Sequence, residues 1–354
     1  MQLGIIGLPR SGKTTVFSAL VGRSEDRGYG RRETHVGTVA VPDPRLPALN
    51  ALFKREREIP AIVEYVDAVG LESGGAKKGY DEALLKSLAP TNALLLVLRG
   101  FDADDGTPPD PLREFTSAEE EFLLNDLMLV ENRLHRLDVQ IKKQKNPALE
   151  AEHHLLQQCL VMLESNAPLR MMTLDAEQEK TVRGFQLLSL KPLLAVVNLG
   201  ETYAARGDEW LAALQPKLTA HSAALALQGE LELEIAELEE AERAPFLQEL
   251  GIAEPAAHRV IRESYRLLNL ITFFTVGDHE CRAWTIPEGT TALGAAAVVH
   301  SDMARGFIRV EVSRCDDVIR YGGFAALKEK GLLRLEGKEH IVHDGDVLLI
   351  RFAV

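Results

Sequence analysis

The stretch Leu3-Gly4-Ile5-Ile6-Gly7-Leu8-Pro9-Arg10-Ser11-Gly12-Lys13-Thr14-Thr15-Val16 decides the reading of this chain. Leu3 to Ile6 is apolar and β-branched, as a buried strand requires. Gly7 to Gly12 is a turn-rich loop, and Val16, Leu20 and Val21 then recur at helical spacing from Lys13 onward. The loop satisfies G-x-x-x-x-G-K-[ST] at every position, between the strand and the helix that the motif demands. Glycines let successive backbone N–H groups turn inward toward phosphate oxygens, and the helix N-terminus adds partial positive charge. Lys13 is expected to reach the β- and γ-phosphates of a nucleotide, and the Thr14 hydroxyl to coordinate Mg²⁺. Arg10, Ser11, Gly12 and Thr15 complete the set of loop residues expected around the phosphates. An ordinary Gly-rich strand–helix turn is the competing reading, and the complete motif in its proper setting weighs against it.

Further strands are expected at Val36–Val41, Ile62–Val66, Asn92–Leu98 and Leu193–Val197. The Leu/Val run of the fourth suits a strand covered on both faces, and strands alternating with helices predict a parallel sheet in an α/β domain. Asp67-Ala68-Val69-Gly70 follows the third as D-x-x-G. There an aspartate at the strand tip can hold Mg²⁺, and the Gly70 N–H can sense the γ-phosphate. Asn198-Leu199-Gly200-Glu201 follows the last strand, where GTPases carry N-K-x-D to read guanine. With Leu199 in place of Lys and the longer Glu201 in place of Asp, adenine is the better fit. A turn capped by Asn198 is the alternative.

Between the fourth and fifth strands, Leu123, Leu127, Val130, Leu134, Leu137 and Ile141 form a heptad seam. Asn146-Pro147 breaks it, and Leu149, Leu156, Leu160 and Leu163 resume it, which predicts an antiparallel helical hairpin. Ser117 with Glu120 offers a capping box at its start. Lys142, Lys143 and Lys145 sit at its tip, either as a solvated loop or as a contact for a polyanion. After residue 270, alternating segments at Ile271–Thr275, Gly306–Val312 and Val347–Phe352 predict a separate β-rich unit.

The chain has 354 residues, too many for one typical domain. Its formal charge of −13 argues against nucleic-acid binding through the whole surface and leaves a local basic contact open. Cys159, Cys281 and Cys315 form no CxxC pair, so they read as isolated reduced thiols. No apolar run reaches the roughly 20 residues of a membrane span. Met1 to Ile6 leads straight into the loop without room for a signal peptide, so a cytoplasmic location is expected.

Together these residues resemble the YchF or Obg-like ATPases. The resemblance rests on the phosphate loop, Asn198–Glu201, Val41-Pro42-Asp43-Pro44-Arg45-Leu46, Asp110-Pro111-Leu112 opening the hairpin, and Glu242-Arg243 with Phe246-Leu247. It is most specific near the C-terminus, in Arg282–Ile286, His300-Ser301-Asp302, Gly306–Ile308, Leu335–Lys338 and Asp344–Val347, which looks like a TGS domain. The resemblance implies a Ras-like P-loop core (1–111 and 186–268), an inserted hairpin (112–185) and a C-terminal β-grasp domain (270–354). It implies a monomer with Mg²⁺-dependent ATP hydrolysis, GTP being possible, and association with ribosomes or ribosomal RNA, away from membranes.

Departures from the family pattern accompany it. Arg10 and Ser11 replace the loop's Asn and Val, and the metal-binding switch Thr aligns with Arg31, leaving Thr34 as its substitute. The base-contacting Ser-Ala pair falls on Gln228-Gly229. Leu71 stands where Ras-like GTPases place a water-orienting Gln, so phosphoryl transfer would rest on Lys13, Mg²⁺ and backbone N–H groups, and slow turnover is expected. A nucleotide-binding module without meaningful turnover is a competing reading.

Overall fold

The computed structural model describes residues 1–22, 35–67, 86–144 and 146–353. Thr34, Gly70, Leu71 and Lys145 therefore lie outside the described residues. The chain divides into two compact units, one of Met1–Thr38 with Glu64–Leu267 and one of Val39–Val63 with Leu268–Val354.

The first unit is built on a six-stranded sheet in the order β2-β4-β1-β5-β6-β7. Its strands are β1 (Gln2–Gly7), β2 (His35–Ala40), β4 (Ile62–Asp67), β5 (Ala93–Gly100), β6 (Leu193–Leu199) and β7 (Ser222–Leu227). β1 lies between β4 and β5 and is parallel to both, with Leu3 opposite Tyr65 on one side and Ala93 on the other. β5 to β7 continue the parallel pattern. Ala93 to Leu98 is buried without interruption, because helices cover both faces. Helices α1 (Lys13–Val21), α3 (Pro111–Lys143), α6 (Gly207–Leu214), α7 (Gly229–Glu237) and α9 (Ala256–Leu267) provide the cover; α2 (Arg45–Phe53) belongs to the second unit. Leu94, Leu96 and Leu98 meet Phe115 and Phe122 of α3 and Trp210 of α6 in one core.

The heptad seam forms the hairpin as expected. Leu123, Val130, Leu134 and Leu137 of α3 close against Leu156, Cys159 and Leu163 of α4 (Pro147–Glu164), with Leu127 and Ile141 at the margin. Its start differs from the Ser117–Glu120 capping box. Asp110 is the N-cap, accepting from the Arg113 N–H, and Pro111 takes the first helical position. The helix is thus well under way at Ser117. At the turn, Asn146 caps α4 through the Ala148 N–H. Lys142 and Lys143 lie in the last turn of α3, where they also complement the helix dipole.

Buried polar groups fix the base of the hairpin. Asp126, fully buried, accepts from the Leu188 N–H at 2.9 Å and the Ser189 N–H at 2.7 Å. Lys191 donates its ammonium to the carbonyls of Ala89 and Thr91. Burial pushes Lys191 from the ordinary lysine value of 10.5 down to about 8, partly offset by the nearby Asp126 carboxylate. Between those two values the unfolded chain holds more protons at this site, so stability from Lys191 rises with pH across that window. Wild type should therefore gain unfolding free energy relative to Lys191→Met as pH is raised through it, in chemical denaturation at several pH values. A constant difference would show that the ammonium does not titrate there.

The second unit holds β3 (Arg57–Ile59), β8 (Leu270–Val276), β9 (Glu280–Pro287), β10 (Phe307–Arg314), β11 (Arg334–Glu336) and β12 (Asp346–Phe352), in the order β11-β10-β12-β8-β9-β3. β8 and β12 are parallel at the centre, β9 and β10 run antiparallel to them, and a helix at Ala292–Val299 packs on one face. This is the β-grasp arrangement. Residues 39–63, which the sequence groups with the first domain, join this unit because β3 adds to β9 as a parallel edge strand. Arg45 holds the segment in place. Its guanidinium bonds both oxygens of Asp43, reaches Asp344 at 2.7 Å, and lies over the Phe274 ring. Gly345 (φ 82°) takes a left-handed backbone that L side chains rarely adopt, and a Cβ there would sit 2.7 Å from the Arg45 guanidinium and displace it. Two of the family-like motifs, around Asp43 and Asp344, are therefore halves of one joint.

Candidate nucleotide-binding site

The phosphate loop is shaped by close approach. A Cβ on Gly7 would lie 2.4 Å from the Val97 carbonyl oxygen, so the loop can leave β1 against β5 only without a side chain. Arg10 (φ 62°) and Gly12 (φ 85°) then both adopt left-handed backbone, turning the chain into α1. Among the described residues, helix α1 starts with no side-chain cap, and its first turn holds no acidic residue, so the positive end of its dipole is left for an anion. The Lys13 ammonium folds back over the loop, donating to the carbonyls of Gly7 at 3.2 Å and Leu8 at 2.9 Å.

Asn198, buried at the end of β6, ties the parts together. Its amide N–H donates to the Ser11 carbonyl at 3.2 Å, and its carbonyl accepts from the Gly229 N–H at 2.9 Å. The partners lie 187 and 31 residues away in the chain, so Asn198 joins two distant loops and does not cap its own turn. Both contacts demand glycine. A Cβ on Gly12 would fall 2.1 Å from the Asn198 amide nitrogen, and one on Gly229 would fall 2.6 Å from its carbonyl oxygen. One donor and one acceptor site remain on the amide.

Thr14 is exposed at the start of α1, Thr15 is half-buried behind it, and Ser11 is fully buried. Asp67 is the last residue of β4, buried, opposite Ile5 of β1. The Leu199 side chain points into the core, against Gly207, so only its backbone can face a ligand. Glu201 is exposed at the start of a short 3-10 turn, and half-buried Gln228 precedes α7.

One flank of the site carries residues that the sequence did not single out. The loop after β5 brings Asp104 into an ion pair with Arg10 on an exposed rim, and Phe101 against Gly200 and near Gly12. Arg99 fixes this loop by donating to the carbonyls of Phe101 at 2.6 Å and Thr107 at 3.1 Å, and the Tyr203 hydroxyl donates to Asp102 at 2.7 Å. The available signal was topological: β5 neighbours β1 where the strand order reverses, and ligands bind outside strand ends at such a point.

A family model named YchF-GTPase_C and described as "Protein of unknown function (DUF933)" matches residues 270–353. The ribosome-binding ATPase YchF of Pasteurella multocida is 39% identical over 362 residues, covering 100% of this chain and 99% of its own. The chain belongs to the YchF family. The Bacillus subtilis YchF, also named a ribosome-binding ATPase, is 37% identical with full coverage of both chains. The Schizosaccharomyces pombe YchF GTPase superposes with a TM-score of 0.83 at 25% identity, over 99% of this chain and 97% of that one. A GTP-binding protein from Pyrococcus horikoshii, at 17% identity and a TM-score of 0.59, shares the fold. No described helix is long and apolar enough to cross a membrane.

Proposed function

We propose that this YchF-family chain is a slow, Mg²⁺-dependent ATPase whose nucleotide state governs association with ribosomes. The observation that carries the reading is the uncapped N-terminus of α1, cradled by a glycine-shaped loop with Lys13 across it. Such a cradle suits an anion, and with the complete phosphate-loop motif around it that anion is a nucleotide polyphosphate. Full-length likeness to relatives named ribosome-binding ATPases supports the activity and the partner. Hard oxygen donors at Thr14 and Asp67 suit Mg²⁺, which takes one or two protein oxygens and leaves its other positions to phosphate and water. Mg²⁺ would supply charge neutralisation on the phosphates. The protein's own part is to hold them, through the loop N–H groups and the Lys13 ammonium, while Asn198 keeps that loop aligned with Gln228-Gly229. With Leu71 after D-x-x-G, no water-orienting amide follows that motif, and a bound ribosome would be needed to speed turnover.

GTP is the second reading, favoured by the solved Schizosaccharomyces pombe relative described as a GTPase. Competition of ATP and GTP for the chain, with phosphate release measured with and without ribosomes, separates the readings. ATP is expected to bind more tightly, because a carboxylate on Glu201 without the neighbouring lysine matches guanine poorly. GTP binding tenfold tighter, about 1.4 kcal/mol, would overturn the preference. Absence of turnover under both conditions would reduce the chain to a nucleotide-binding module.

A further inference from the structure

In the second unit, far along the sequence from the phosphate loop, His340-Ile341-Val342-His343-Asp344-Gly345-Asp346 places two imidazoles and a carboxylate at a spacing of three residues each. One ligand atom from each of His340, His343 and Asp346 lies within 4.8 Å of the other two. The backbone carrying them is pinned. The His340 carbonyl accepts from the Ala292 N–H at 2.7 Å, the Val342 N–H donates to Thr290, and the Gly345 N–H donates to Thr272.

Two facts argue that these rings are more than a packed corner. The His340 Nε2 is shielded from solvent and has no hydrogen-bond partner among the described residues, an arrangement that buried polar atoms seldom accept. Its Nδ1 faces Glu336 Oε2 at 3.8 Å, and His343 Nδ1 faces Asp346 Oδ2 at 3.8 Å, both too long for hydrogen bonds. Glu336 lies beside His340 without bonding it, and a small closure of that 3.8 Å gap would let its carboxylate take the Nδ1–H and orient the ring toward a metal. Asp346, fully buried, is steadied by Arg314 at 3.2 Å on Oδ1 and by the His343 N–H at 2.9 Å on Oδ2.

We infer that His340, His343 and Asp346 form a binding site for a divalent first-row transition metal, with zinc the best match. Two neutral imidazoles and one carboxylate are borderline donors, which favour zinc over Mg²⁺ or Ca²⁺. Tetrahedral zinc places its ligand atoms about 3.3 Å apart, so the trio must close slightly. His343, whose side chain is 61% exposed, supplies that movement by rotating without disturbing the backbone. Three protein ligands leave the fourth position to water.

The test uses the metal-stripped full-length chain, titrated with zinc chloride in a calorimeter without nucleotide and with excess Mg²⁺ present to occupy the phosphate-loop site. Wild type should bind a single zinc at least about tenfold more tightly than His340→Gln or His343→Asn. Its thermal midpoint should rise with zinc, and those of the variants should not. Co²⁺ should give the visible bands of a four-coordinate site in wild type and lose them in His343→Asn. Equal zinc affinity in wild type and His343→Asn overturns the site, and this exposed position decides the matter should His340→Gln fail to fold.

Discussion

Replacing Lys13 with alanine is expected to weaken nucleotide binding or turnover by about 2–4 kcal/mol, roughly 30- to 1000-fold, and to leave the fold standing. The ammonium is the only lysine in the loop, and it already lies across the cradle on the carbonyls of Gly7 and Leu8. Removing it takes away a charge-assisted contact to phosphate. The loop keeps its other ties: the Ser11 N–H on the Leu8 carbonyl, the Val16 N–H on the Gly12 carbonyl, and the Asn198 bridge. Titration with a fluorescent ATP analogue and phosphate release, beside a thermal melt, make the measurement. A folded variant with unchanged affinity and hydrolysis would remove the loop from the nucleotide site.

Asp126→Ala should act in the opposite way, lowering stability by about 2–5 kcal/mol and sparing nucleotide affinity. The side chain is fully buried between the hairpin and the segment leading to β6. Truncation strands the Leu188 and Ser189 N–H groups without an acceptor, each costing about 1–3 kcal/mol. Asp126→Asn keeps one acceptor and should fall between wild type and alanine. Burial pushes the Asp126 carboxyl above the usual carboxylate range, overriding the hydrogen bonds that favour its ionised form. Its contribution is therefore fullest below the ordinary range and declines as pH rises through its folded value. Urea denaturation of the three proteins at acidic and neutral pH would show the gap to Asp126→Asn narrowing toward neutrality. A loss under about 0.5 kcal/mol for the alanine variant, the range of ordinary surface substitutions, would show that water satisfies the stranded N–H groups.

Local signals carried the parts that depend on nearest neighbours. The G-x-x-x-x-G-K-[ST] loop states its own geometry, since its glycines, lysine and helix start are consecutive. The heptad seam from Leu123 to Ile141 likewise needs only periodicity to be seen. Other elements gave no such signal. β7, Ser222–Leu227, is half alanine and lacks the β-branched residues of a strand. β9 buries Cys281 and Ala283 between Arg282 and Trp284, but buried Ile286 falls out of that alternation, and the pattern is further diluted by small residues. Ser117 with Glu120 imitates a helix start, yet Asp110 and Pro111 had begun the helix before it. Asp104 and Phe101 sit on a loop of ordinary turn composition, and only the order of strands brings them to Arg10 and Gly12. The asymmetry at Asn198 is similar. Its residue type suggested a role, but the bond to Gly229 depends on how β6 lies beside β7.

The edge strand β3 sets a problem of timing. Arg55, at its threshold, bonds the carbonyl of Asp278, 223 residues further along the chain. A polypeptide emerging from its N-terminus exposes β3 and the apolar side of α2, with Leu46 and Leu49, long before β9 exists to receive them. Pairing so distant in sequence closes slowly, since the loop entropy must be met before any contact is gained. The second unit is thus the last to be finished and cannot be completed by its own contiguous residues. Until residue 280 is available, the segment from 45 to 59 is an unclaimed strand and helix, open to mispairing.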